Sequence, residues 1–171
     1  MKQRLFVFFL FITVLAVAQE DVKTTESFTI GGQVIKEKVF TITDIAKMPS
    51  VKIGDIAILN HLGVTKGMSR DMSVVPVKEF LKDIQIKSAS PKDLNECYLV
   101  FIASDNYKVV YSWNELFNSP TGDNTFIVTA KEGKAISEMN ERILLLSTTD
   151  FKTGRRYVKG LTRIEIQRAG K

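Results

Sequence analysis

Near its C-terminus the chain reads Asp150-Phe151-Lys152-Thr153-Gly154-Arg155-Arg156-Tyr157-Val158-Lys159-Gly160-Leu161 and runs directly into Thr162-Arg163-Ile164-Glu165-Ile166. The second part has the period of a strand: Thr162, Ile164 and Ile166 share one face, Arg163 and Glu165 the other. The first part is a glycine-bearing turn carrying Lys152, Arg155, Arg156 and Lys159. Guanidinium and ammonium groups gathered on a turn suit an anion such as a phosphate. The alternative is a basic hairpin whose charges face water.

Upstream, the pattern is one of short strands with short helices set singly among them. Phe28 to Ile35 reads as a strand meeting a Gly31-Gly32 turn, and Lys38 to Ile42 as a second extended piece. Thr43 to Met48 predicts a short helix capped by Thr43 and stopped by Pro49. Val51 to Leu59 is β-prone and delivers the chain to a turn at Asn60-His61-Leu62-Gly63. Val77, Phe80, Leu81 and Ile84 mark one helical face, with Pro76 in the first turn. Tyr98–Ala103 and Tyr107–Tyr111 form a strand pair turned by Ser104-Asp105-Asn106. Ser112 and Glu115 have capping-box spacing and open a helix in which Trp113 and Phe117 are expected in the core. Phe126–Ala130 and Arg142–Ser147 are further strands. The sum predicts a mixed α+β fold of β-sheets with short inserted helices, in one domain over residues 28–168, after a polar segment over 19–27 expected to fray.

Lys2 and Arg4 precede a nearly unbroken apolar run from Leu5 to Ala18, ending in Ala16-Val17-Ala18. This is the pattern of a signal peptide over residues 1–18, with export to a periplasmic or secreted location and no membrane span after its removal. Cleavage would remove two cations and no acid, taking the formal charge from +5 to +3 (22 Lys and Arg against 19 Asp and Glu). So mild a balance makes no case for nucleic-acid binding. Cys97 is the only cysteine, in an apolar strand, which excludes an intramolecular disulfide and reads as a structural thiol.

Four of these pieces, in order, resemble the molybdopterin-binding domain of sulfite-oxidase-like oxidoreductases. They are Phe40 to Pro49, Val75 to Leu81, Ser104-Asp105-Asn106-Tyr107, and Gly154 to Leu161. The resemblance implies that fold, a molybdopterin-type cofactor and a redox or envelope protein partner. It also implies a phosphate site in which Arg156 and Lys159 face the anion, Gly154 forms the turn that admits it and Arg155 shares the work or faces solvent. The departures are specific. Catalytic members carry a molybdenum-ligating cysteine where this chain reads Ile58 to Gly67, and a tryptophan where it has Gly160.

Asn60 and His61 occupy the loop that would carry that ligand. The imidazole could ligate a metal or bond a phosphate, or the pair could form a solvated turn. No second histidine exists and no ligand spacing supports an independent metal site. Two functions fit this pattern: an exported protein binding a molybdopterin-type or other phosphate-bearing ligand, or a non-catalytic exported binding module on the same fold.

Overall fold

The computed structural model describes residues 22–170; the signal-peptide expectation lies outside the described residues. Two sheets face each other. The first has five strands in the order β2 (Lys38–Thr41), β1 (Ser27–Gly32), β12 (Leu161–Arg168), β7 (Cys97–Ala103) and β8 (Lys108–Ser112). β12 runs parallel to β1, pairing Ile30 with Ile164, and antiparallel to β7, pairing Ile164 with Phe101. The last strand in sequence is thus the middle of the sheet. From Arg163 onward its alternation is the expected one, with Ile164 and Ile166 fully buried, but a bulge at Thr162 breaks it and Leu161 is buried instead.

The second sheet orders β10 (Lys134–Ala135), β9 (Thr125–Lys131), β6 (Met72–Pro76) and β3 (Val51–Ile53), with β11 (Leu145–Ser147) also on β9. Its two faces serve two cores. Val75, Ile127 and Leu145 pack with the first sheet around Phe101, Ile164 and the Phe28–Phe40–Phe80 ring cluster. Val74, Val128 and Leu146 face the other way and pack with Met72, Phe126, Met139 and Leu144 against Ile53, Ile56 and Tyr157. β4 (Ile56–Leu59) and β5 (Thr65–Ser69) form a separate hairpin beyond that second core.

Among the described residues the helices are α1 (Ile42–Ala46), α2 (Val77–Leu81), α3 (Trp113–Phe117) and α4 (Pro120–Asp123), one more than the sequence suggested. The expected α+β architecture is the one observed. Several details differ. Thr41, not Thr43, caps α1: its hydroxyl takes the Asp44 N–H and Asp44 returns a bond to the Thr41 N–H, completing a box hidden at the end of a strand. Pro76 closes β6 in an extended conformation and stands just outside α2. Val51–Leu59 breaks into β3 and β4 around Gly54-Asp55. Phe117 is not a core residue: it is exposed and stacks 4.1 Å from Trp113, which is part-buried and packs against the core beside the fully buried Leu116.

Residues 23–26, in the segment expected to fray, make hydrogen bonds. Thr25 receives Ile143 N–H and donates to Arg142 O, and Lys23 O accepts from Ser104. This segment crosses Gly160, which has φ +62° and no room for a Cβ, since one would stand 2.5 Å from Lys23 O. Glycine is the residue that this conformation and this crossing require.

Candidate functional site

The closing segment folds as a single tight 3₁₀ turn, Thr153–Arg156, against the edge of β4. The buried Thr153 hydroxyl receives the Leu59 N–H (2.9 Å) and donates to Ala57 O (2.6 Å), so one side chain bonds a donor and an acceptor of the strand. Gly154 follows because a Cβ there would stand 2.7 Å from Leu59 O. This backbone approach by itself requires the glycine. By the same contact the turn brings the Asn60–Gly63 loop beside the basic segment, where Lys152 lays its ammonium against Gly63.

Arg156 points inward. Its Nε and Nη2 donate to both carboxylate oxygens of Asp150 (2.7 and 2.5 Å), and Nη1 donates to Glu115 (3.1 Å). Its guanidinium carbon lies 4.1 Å above the Tyr111 ring. The Asp150 hydrogen bonds hold this guanidinium in its charged form even more firmly than usual. The Tyr111 phenol beneath it is fully buried with no hydrogen-bond partner among the described residues, and burial drives its pKa up. Three of the five guanidinium N–H groups are used, leaving two for a ligand. The fork is thus rigid and largely neutralised by acids whose part in it the sequence reading missed. Asp150 lay inside the quoted stretch, but Glu115 is 41 residues away and only its capping role was legible.

Beside this pair opens a groove of about 530 Å³ lined by Thr121, Thr149, Asp150, Phe151, Lys152, Arg155 and Arg156. Lys152 is half-buried and Arg155 exposed. Lys159 is elsewhere. It lines a smaller cleft of about 220 Å³ with Lys66, Ser69, Tyr157 and the Lys131–Glu141 ion pair (2.9 Å). Arg156 and Lys159, expected on one phosphate, are divided between two cavities because the intervening Val158 is buried and pairs with Leu145. Gly154, Arg155 and Arg156 stay together. Asn60 is committed to its own turn, accepting from the Leu62 and Val64 N–H groups (3.0 Å each), and His61 is exposed at the hairpin tip.

The donor set does not fit a molybdenum centre. The Ile58–Gly67 loop carries no thiol. Cys97 is buried on β7, its Sγ donating to Asp93 O, and burial raises its pKa, so it stays a protonated thiol. Among the described residues no group of three or more His, Cys, Asp or Glu side chains is placed to hold a metal ion.

No family model and no curated protein matches this chain. Among solved structures it is similar to the sulfane dehydrogenase SoxCD from Paracoccus pantotrophus, with a TM-score of 0.54 and 17% sequence identity. The fold is shared. The match covers 82% of this chain and 37% of that one, so this chain corresponds to a part of the larger protein.

Proposed function

We propose that this chain is an exported, non-catalytic binding module on a fold related to a sulfite-oxidase-like oxidoreductase domain, and that its ligand is a phosphate-bearing anion. The observation that carries the reading is the groove beside the Arg156–Asp150 pair. Lys152 and Arg155 line it without an acidic hydrogen-bond or ion-pair partner among the described residues, next to a guanidinium fixed in place and the hydroxyl residues Thr121 and Thr149. Arg156, already held by Asp150 and Glu115, loses little side-chain entropy when an anion arrives. The four motifs in order and the fold likeness to a sulfane dehydrogenase support the ancestry. A molybdopterin phosphate would meet the same cations, with no thiolate from this chain for the metal.

Titration calorimetry with inorganic phosphate and pyrophosphate tests the groove. Binding is expected at low salt, reduced about tenfold or more by Lys152→Ala with Arg155→Ala and weakened by added salt. Absence of heat with either anion would overturn the phosphate site. Protein purified from its native host, sequenced at its N-terminus and assayed for pterin and molybdenum, tests export and cofactor together. Stoichiometric molybdenum there would overturn the non-catalytic reading.

A further inference from the structure

We infer that the phosphate taken by the groove is a lipid headgroup phosphate, and that the surface around it docks onto an anionic phospholipid bilayer; this rests on the groove being a phosphate site. Three loop tips meet there. Phe151 lines the groove and is 94% exposed. Leu62 (72%) and Val64 (53%) stand out from the β4–β5 hairpin, and Tyr107 (41%) from the β7–β8 turn. They are held together by the Lys152 contact with Gly63, the Thr153 bonds to β4, and a 2.6 Å hydrogen bond from the Tyr107 hydroxyl to Arg155 O.

The charge around these apolar tips is positive. Lys152 and Arg155 stand beside them and Lys108 follows Tyr107 in sequence, against the single carboxylate of Asp105, which accepts the Tyr107 amide; Asp150 is paired with Arg156. Few apolar residues at loop ends are far short of the roughly 20–30 residues a side of a stable protein interface. They are enough for interfacial binding when cations supply a second attraction to anionic lipid. Phe suits the depth of the headgroups, where a ring is apolar on its face. A lysine and an arginine reaching a phosphate beside an inserted Phe151 is the geometry a headgroup offers and a free phosphate does not use.

Co-sedimentation with phosphatidylcholine vesicles, with and without phosphatidylglycerol, tests this. Partitioning onto the mixed vesicles is expected to exceed that onto neutral ones by about tenfold at low salt and to fall as salt rises. Phe151→Ser and Leu62→Ser are each expected to lower it about fivefold or more. Both side chains are exposed, so unchanged circular dichroism and melting will show that the fold survives. Leu62→Ser is expected to retain wild-type binding of inorganic phosphate by calorimetry. If phosphate binds the groove but the mixed vesicles hold no more protein than the neutral ones, the lipid inference falls and the groove reading stands. If neither binds, both fall. Vesicle binding undiminished in both serine variants, or binding to soluble polyglutamate tighter than to the vesicles, would overturn the bilayer in favour of bare charge attraction or an acidic protein surface.

Discussion

The five-stranded sheet and the β4–β5 hairpin are built in opposite ways. In the sheet, β12 lies between β1 and β7, and Ile164, Phe101, Leu99 and Ile30 are fully buried. Its order comes from apolar area removed from water, distributed over many side chains. The hairpin exposes four of the five residues of β5, and every residue of β4 is only part-buried. It is held by fewer contacts: the two Thr153 bonds, the close approach at Gly154, the Asn60 turn, the buried Ser69 hydroxyl bonded to Tyr157, and Ile56 against the second core. The hairpin is thus tied to the fold by a few contacts, the Thr153 bonds chief among them, while the scaffold beneath it is anchored many times over. A surface of this second kind can change its ligand chemistry without disturbing the first.

That contrast can be broken by mutation. Phe101→Ala, in the central core, is expected to cost about 3–5 kcal/mol, read as a lower urea midpoint for the whole domain. Asp150→Ala leaves the Arg156 guanidinium short of its two strongest bonds in a mostly covered site and is expected to cost about 2–3 kcal/mol, less than a fully buried pair because Arg156 reaches some water. Thr153→Val keeps the shape but strands Leu59 N–H and Ala57 O, for about 1–2 kcal/mol. Hydrogen exchange is expected to rise over residues 56–69 and stay unchanged in β7 and β12. Equal exchange changes in both regions would mean that the hairpin and sheet open as one unit, and the contrast would be lost.

The smallest effect is on acid stability. Asp44 is held below the ordinary carboxylate range chiefly by its hydrogen bond from the Thr41 side chain, and Asp93 by the Ala89 N–H. Each carboxylate binds a proton less readily folded than unfolded. Their contributions are therefore present above the unfolded value near 4 and lost as pH falls through the depressed folded values. Thr41→Ala is expected to flatten slightly the decline of the urea midpoint in this acid range. An unchanged slope would show that the α1 cap carries none of it.

The legible parts of the fold were those written in local pattern. The alternation in β12 from Arg163 onward, the hairpin turn at Ser104-Asp105-Asn106 and the Ser112–Glu115 box all appear in the structure, the last with both of its hydrogen bonds. The core expectation held in part for Trp113 and failed for Phe117, because a five-residue helix has little face to bury, and spacing alone cannot say which side the sheet lies on. The candidate site was half legible. Its cations were visible as types, but a side chain's partner is a matter of distance, and Glu115 meets Arg156 only because α3 and the closing turn are neighbours in space.

By itself, then, the sequence determined the α+β class, the run of short strands and a basic closing segment with a strand behind it, since these follow from side-chain period and turn chemistry within a dozen residues. Only the tertiary structure decided that Arg156 turns inward to Asp150, that Lys159 leaves for another cleft, and that Lys152, Arg155 and Phe151 stand together at the surface. The reason is that burying Val158 against Leu145 sets which neighbours point which way, and that pairing joins segments the chain keeps apart.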